Sequence, residues 1–146
     1  MYVSYNLYSK ITPINQNNPA YNGKFSASCA FICAAMVLNK DPNDMVAAGL
    51  NHANADWTAI ASKYGKTAQV TDSTSLATVL GHLKNGYPVI AKSSSNPHWV
   101  VIYGYEGLDT VVQANNFRCV DAADGKAMTL EQSWAYTGVT RFVIFK

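Results

Sequence analysis

Residues 26–38, SASCAFICAAMVL, lead from a short polar stretch into an almost wholly apolar run. The run has the length of a helix and leaves no polar face, which predicts a buried central helix from about residue 28 to residue 38. Cys29 then lies at the start of that helix, where the positive end of the helix dipole favours thiolate over thiol. This position predicts a reactive cysteine, and the alternative is a small buried hydrophobic residue, as most free cysteines are.

A base for such a cysteine is present later in the chain. His98 follows the polar segment 93–97, SSSNP, and opens the apolar run 98–103, HWVVIY. A polar loop that delivers an imidazole to the edge of a buried strand is a common setting for function, and a satisfied core histidine is the alternative. His52, in a polar segment, is expected to be a solvated surface residue, and His82 to be exposed or half-buried on a helix. A thiolate at a helix start facing an imidazole at a strand start would form a cysteine nucleophile with its base.

A third group is needed to hold the orientation of the imidazole. Asp121 ends the strand-like run 117–121, so its carboxylate could accept the second ring N–H, and Asn115 could do the same as a neutral amide. We favour Asp121, with Asn115 as the alternative. Cys33, one turn further into the predicted helix, is expected to belong to the core.

The composition is that of a single globular domain, 1–146, in which residues 1–13 are a candidate peripheral arm. The chain has 146 residues, of which 49% are hydrophobic and 14% charged, and its formal charge is +2. The sequence contains no run of lysine and arginine, so nucleic acid is not an expected partner. No apolar run reaches membrane-spanning length, so no membrane insertion is expected. No cofactor is expected either, and the oligomeric state is left open.

The three cysteines, Cys29, Cys33 and Cys119, do not make a disulfide framework. An odd number leaves at least one thiol free, and two cysteines one helical turn apart have a poor geometry for bridging each other. With His98 the three could instead form a structural zinc site of three cysteines and one histidine. Two ligands on one regular helix lack the turn typical of such sites, so zinc is a minor alternative and no metal is expected.

The periodicity changes along the chain. Helical patterns with capping residues dominate the first half, and runs of β-branched and aromatic residues dominate the second. Helices followed by antiparallel strands predict an α+β fold. The predicted helices are 28–38, 41–49, 56–63, 76–83 and 129–134, the strands 88–91, 98–105, 110–113, 117–121 and 139–145, and the turns 104–109 and 123–125.

Four segments together resemble the papain-like cysteine peptidases. Within these they most resemble the group related to the bacteriocin double-glycine leader peptidases and its stand-alone, phage- or cell-wall-associated relatives. The segments correspond to the cysteine helix, the strand before the histidine, the histidine strand and the acidic turn with its following helix: 21–38, 83–91 (LKNGYPVIA), 98–105 (HWVVIYGY) and 120–134. The order of these motifs carries the resemblance, which covers most of the chain from residue 14 onward.

The resemblance implies a papain-like fold and a role for each of four residues. Cys29 would be the nucleophile, His98 the general base and then acid, and Asp121 the group that orients His98. Gln16, in the segment 13–18 (PINQNN), would supply an amide that joins the Cys29 backbone N–H in an oxyanion hole.

Two motifs depart from the family pattern. The nucleophile is followed by Ala-Phe rather than by Gly-Pro, so Phe31 must either occupy an apolar pocket or lie in the cleft. The acidic turn is Asp-Ala at residues 121–122 rather than Asp-Pro. Its interval from His98 is longer than is usual for the family, which keeps Asn115 open.

The function that the resemblance implies is a cysteine peptidase or amidase. It would hydrolyse an amide bond of a peptide, a protein or a peptidoglycan through a thioester acyl-enzyme. The altered nucleophile motif motivates an alternative, a catalytically silent binding module or effector that engages a partner protein. Residues 1–6, MYVSYN, lack the basic and apolar regions of a secretory signal. The expected settings are therefore cytoplasmic, phage-released or exported by a non-classical route.

Overall fold

The computed structural model describes residues 1–94, 98–133 and 137–146. The first half of the chain is mainly helical, and three of its helices begin at side chains that cap them: Asp41, Asp56 and Ser75 each accept a hydrogen bond from a first-turn N–H. The helices are α1 Cys29–Leu38, α2 Pro42–Ala47, α3 Trp57–Lys63 and α4 Leu76–Lys84. Within the described part of the chain, no helix combines the length and the hydrophobicity that crossing a bilayer requires.

The described strands form one antiparallel sheet. They are β1 Tyr2–Asn6, β2 Ala68–Asp72, β3 Val89–Ser93, β4 Trp99–Leu108, β5 Phe117–Asp121, β6 Lys126–Thr129 and β7 Val139–Phe145. The strand order is β2-β7-β3-β4-β5-β6, and β1 pairs with the second half of β4. The α+β prediction, with the cysteine helix in the N-terminal half and the histidine strand in a C-terminal antiparallel sheet, is confirmed.

Helix α1 is buried against the sheet, where it packs on β4 and β3. Residues 31–36 are all 0% exposed, which explains why the sequence of this helix has no polar face. Its first residue, Cys29, is half-buried at the edge of the core. Because the body of the helix is packed on all sides, the position of its first turn is fixed relative to β4.

Residues 1–13 are not a peripheral arm over their whole length, which corrects the sequence prediction. Tyr2–Asn6 forms β1 and pairs with β4, with Tyr5 opposite Tyr105. Val3 and Tyr5 are half-buried and pack against the core, while the alternate residues Tyr2, Ser4 and Asn6 are exposed. A strand that buries so little apolar surface is stabilised mainly by its pairing partner, which lies far along the chain.

The second half also contains two errors of strand assignment. The strand predicted at 110–113 does not form, since these residues are bends and coil. The turn predicted at 104–109 was wrong as well, because β4 continues to Leu108 through its pairing with β1. Strands β2 and β6, which lie at the two ends of the sheet order, were not predicted.

The helix predicted at 129–134 is absent from the residues described there. Strand β6 ends at Thr129, and residues 130–133 form a turn. The capping hydrogen bonds nevertheless form, from the Thr129 N–H to Gln132 Oε1 and from the Gln132 N–H to Thr129 Oγ1, both 3.1 Å. The pair thus closes a turn instead of starting a helix. Residue 134, the last of the predicted helix, lies outside the described residues.

Two valines test the position of β4 in the sheet. Val101 in β4 is 0% exposed, whereas Val70 on the terminal strand β2 is 43% exposed. We expect Val101→Ala to lower the free energy of unfolding by about 2 kcal/mol, through the lost methyl groups and the cavity that they leave. Val70→Ala is the matched control and should cost less than about 1 kcal/mol. Urea unfolding followed by circular dichroism measures both, and equal losses would contradict the central position of β4.

Candidate active site

Cys29 differs from the other two cysteines in its surroundings. It is half-buried at the first position of α1, whereas Cys33 and Cys119 are buried. Burial, followed by the nearby Cys29, raises the pKa of the Cys33 thiol well above its ordinary value. Burial also raises the pKa of Cys119, whose Sγ lies 3.8 Å from the Thr129 carbonyl oxygen. Thiols that stay protonated are poor nucleophiles, so Cys29 is the candidate nucleophile among the three cysteines.

The register of β4 and β5 brings Asp121 to His98. Val100 lies opposite Asp121 in the antiparallel pair, and His98 immediately precedes β4. The His98 Nε2 and the Asp121 Oδ1 are 2.7 Å apart and hydrogen-bonded. Both residues are buried, with 6% and 2% of their surface exposed. The Ala123 N–H donates to the same oxygen, Asp121 Oδ1, at 2.9 Å, which adds a second hydrogen bond that orients the carboxylate.

The same imidazole interacts with Cys29. Burial by itself lowers the pKa of His98, but the hydrogen bonds with Asp121 and with Cys29 outweigh it and raise the pKa to about 9. The ring is therefore protonated at neutral pH. Because Asp121 occupies Nε2, the nitrogen that can serve the Cys29 sulfur is Nδ1. A protonated imidazole between a sulfur and a buried carboxylate is the arrangement that an activated thiolate needs.

Gln16 lines a cleft together with His98 and Asp121, and it is held by two hydrogen bonds to backbone carbonyl groups. Its N–H donates to the Ala122 carbonyl at 2.9 Å, and its Nε2 donates to the Ser26 carbonyl at 2.8 Å. The residue is 6% exposed, and its buried Oε1 has no hydrogen-bond partner among the described residues. Since an amide nitrogen carries two hydrogens, the Ser26 contact leaves one to donate to an oxyanion.

The acidic turn and the segment of Gln16 are packed directly on each other. The Asn17 Nδ2 donates to the Ala123 carbonyl at 2.9 Å. Gly125, with φ of 71°, lies so close that an added Cβ would come within 2.9 Å of the Asn15 backbone nitrogen. Glycine is required there by both the left-handed backbone and the lack of space. Asp121 and Gln16 are therefore positioned by the same contact between loops.

Two clefts border these residues. One, of about 580 Å³, is lined by Gln16, Ser26, His98 and Asp121 among others. The other, of about 320 Å³, is lined by residues that include Cys29, His52, Trp57, Trp99 and Arg141. Together they provide access to the cysteine and to the histidine from the surface.

Asn115, the alternative to Asp121, lies at the opposite end of β5. It is exposed, in the short 3-10 helix Ala114–Asn116 that precedes this strand. Since Phe117 is paired with Tyr105 and Asp121 with Val100, Asn115 is separated from His98 by the length of the strand pair. The structure thus places Asp121, and not Asn115, beside the imidazole.

The alternative zinc site is not formed by the described residues. It required Cys29, Cys33, Cys119 and His98 to converge, but no group of three or more histidine, cysteine, aspartate or glutamate side chains in the described part of the chain could hold a metal ion. His98 instead contacts Asp121 through Nε2, and the Cys119 sulfur faces a carbonyl oxygen.

The environment of His52 differs from the sequence prediction. This residue is half-buried rather than solvated, and its Nδ1 is 2.9 Å from the hydroxyl of Ser28, the residue before the cysteine. No local pattern signals this contact, because it joins two loops through the tertiary fold. His82, which was expected to be exposed or half-buried, is half-buried on α4.

The titration of His98 tests the three-residue contact. In the wild-type protein its ring should titrate with a pKa of about 9. Asp121→Asn should lower that pKa, because the variant removes the carboxylate that stabilises the protonated ring. NMR of the histidine C2–H resonances measures both values. His82 is the internal control, since burial and then Lys146 lower its pKa below the ordinary value. A wild-type His98 that titrates near or below the ordinary histidine range would contradict the contact.

The same pKa sets the pH dependence of stability. The pKa of His98 in the folded protein, about 9, lies above its pKa in the unfolded chain. Protonation of the ring therefore stabilises the fold, and this contribution is complete at pH values below the unfolded-state pKa. This contribution is lost as the pH rises through about 9. We therefore expect the urea midpoint of the wild type to fall as the pH rises from the unfolded-state pKa of histidine to about 9. The midpoint of Asp121→Asn should fall less over the same pH range. A fall of equal size in the two proteins would assign it to other groups.

Comparison with known proteins assigns the family. Residues 8–141 match the Peptidase_C39 like family, a match that spans most of the chain. No curated protein is significantly similar to the chain. The α+β fold, with its cysteine helix and antiparallel sheet, is consistent with that family. The chain therefore belongs to the Peptidase_C39 like family, within the papain-like cysteine peptidases.

Proposed function

We propose that the chain hydrolyses amide bonds of a peptide, a protein or a peptidoglycan, with Cys29 as the nucleophile and His98 as the base and acid. Asp121 orients His98, and Gln16 contributes to the oxyanion hole. One observation carries the proposal: a single buried imidazole contacts both Asp121 and the cysteine at the start of α1. Families of this type use such a set of groups in covalent catalysis.

In the first step the Cys29 sulfur attacks the carbonyl carbon of the scissile amide. The C–S bond forms, and the carbonyl π electrons move to oxygen, which becomes an oxyanion. Protonated His98 gives its proton to the amide nitrogen, the C–N bond breaks and the amine leaves. The product of this step is a thioester on Cys29. The raised pKa of His98 suits this role, because the ring carries the needed proton at neutral pH.

In the second step water attacks the thioester. Neutral His98 takes a proton from the water as its oxygen bonds to the carbonyl carbon, and a second oxyanion forms. When this collapses, the C–S bond breaks and a carboxylic acid leaves. Cys29 returns as thiolate beside protonated His98, so the step balances with water as the only co-reactant.

In this mechanism the Gln16 amide stabilises both oxyanions. Its Nε2 donates to the carbonyl of Ser26, which lies two residues before Ser28 in the loop that leads to Cys29. One amide hydrogen is thereby fixed, and the other can donate at the mouth of the cleft that Gln16 shares with His98. A preformed donor of this kind contributes more in the transition state than in the ground state.

The alternative of a catalytically silent binding module was motivated by the Ala-Phe sequence that follows Cys29, and the position of Phe31 gives it no support. Phe31 is 0% exposed and its ring stacks on Phe25, with centroids 6.2 Å apart. It occupies an apolar pocket instead of obstructing the cleft.

The finer assignment, to the group related to the double-glycine leader peptidases and their phage- or cell-wall-associated relatives, is part of the proposal and rests on the motif order in the sequence.

Selective modification tests the nucleophile. Iodoacetamide at neutral pH should label Cys29 and leave Cys33 and Cys119 unmodified, because burial protects those two thiols and raises their pKa values. Mass spectrometry of peptic fragments locates the label. His98→Ala should slow the labelling of Cys29, since the protonated partner of the thiolate is lost. Cys33→Ala is the matched control and should be labelled as the wild type is. Equal labelling of all three cysteines would contradict the proposal.

A peptide aldehyde tests Gln16 separately from Cys29. The thiolate adds to the aldehyde to form a tetrahedral hemithioacetal whose oxygen occupies the oxyanion position, whereas alkylation by iodoacetamide forms no oxyanion. Gln16→Ala should therefore weaken aldehyde affinity by about 100-fold and leave alkylation nearly unchanged. Gln69→Ala, which truncates an exposed glutamine on the terminal strand β2, is the matched control. If Gln16→Ala lowers both readouts equally, the residue supports the loop and is not an oxyanion donor.

A further inference from the structure

A second histidine contacts the loop that leads to Cys29. The hydroxyl of Ser28, the residue immediately before Cys29, is hydrogen-bonded to His52 Nδ1 at 2.9 Å. Ser28 is 5% exposed, so its hydroxyl has little access to water. Ser28 lines the same cleft as Cys29 and His52. The mechanism proposed above does not use this pair.

The His52 ring is held in place from several sides. It contacts the rings of Phe25 and Phe31 edge-on, with centroids 5.4 Å and 6.3 Å away. Both phenylalanines are 0% exposed, so they form a fixed wall. The loop that carries the ring is closed by the Ala53 N–H, which donates to Asn51 Oδ1 at 2.9 Å. An imidazole constrained in this way can fix the rotamer of the hydroxyl that it contacts.

The contact diverts Ser28 from the role that its position favours. Ser28 is the N-cap residue of α1, and serine there normally accepts a hydrogen bond from an N–H of the first turn. In this helix the Ser28 side chain makes no such bond, although its carbonyl accepts from the Ile32 N–H at 2.9 Å. The three other α-helices among the described residues do have a side-chain cap. The exception is thus the helix that begins with the cysteine.

We propose that His52 is a positioning residue for the nucleophile, which it supports by holding the Ser28 hydroxyl away from the first turn of α1. Without a serine oxygen against them, the N–H groups of that turn direct their positive charge towards the cleft. They stabilise negative charge on the Cys29 sulfur and on the oxyanion that forms next to it. This inference rests on the proposed function, because it assigns His52 to the same site.

The test uses the full chain, the peptide aldehyde and iodoacetamide. In His52→Ala the Ser28 hydroxyl is released to cap the first turn, so aldehyde affinity should fall about fivefold. His52→Asn places an amide near the position of Nδ1 and should recover most of the affinity. The double variant Ser28→Ala/His52→Ala should bind the aldehyde more tightly than His52→Ala does, because no hydroxyl remains to compete. His82→Ala, a half-buried histidine on α4, is the matched control and should bind as the wild type does.

The outcomes separate this inference from the proposed function. If the wild type is neither labelled selectively at Cys29 nor bound by the aldehyde, the proposed function fails. If it passes both tests but His52→Ala binds the aldehyde as tightly as the wild type, His52 has no positioning role. If removal of Ser28 adds to the loss in the double variant, His52 supports the loop only structurally, which also overturns the inference. Should His52→Ala fail to fold, His52→Asn decides: near-normal binding by the aldehyde supports the inference, and a large loss overturns it.

Discussion

The hydrogen bond between His98 and Asp121 is the interaction on which the site depends. Both groups are buried, so each would be costly without the other, and the pair is stable because the charges meet at 2.7 Å and Asp121 accepts a further backbone N–H. Its existence requires the register in which Val100 lies opposite Asp121. A shift of one residue would turn the carboxylate to the other face of the sheet. The sheet pairing and the contact between His98 and Asp121 are therefore one constraint.

The position of Cys29 is fixed by a different kind of force. Residues 31–36 of α1 are wholly buried, and dispersion and hydrophobic contacts hold the helix on β4 without polar specificity. Its first turn is where packing gives way to directed hydrogen bonds, those of Gln16 to the Ser26 carbonyl and of Ser28 with His52. Cys29 thus lies where the apolar body of α1 meets a loop that is held by a few individual hydrogen bonds.

The sequence was most informative where structure is locally determined. The first four predicted helices formed, because caps such as Asp56 and Ser75 and the apolar pattern of α1 act within a few residues. The fifth, at 129–134, was wrong because its capping pair closes a turn instead. Strands were predicted where both faces are buried, as in β3 and the first half of β4. The strands that were missed, such as β1 and β2, bury little apolar surface and depend on partners elsewhere in the chain.

The sequence by itself determined the chemical groups, their order and the helix that begins at Cys29, because these follow from residue identity and short-range periodicity. Only the tertiary structure placed Asp121 rather than Asn115 beside the imidazole, and only it joined His52 to Ser28. These outcomes depend on strand register and on the packing of loops that are distant in sequence. Their free energy comes from contacts that no short segment contains.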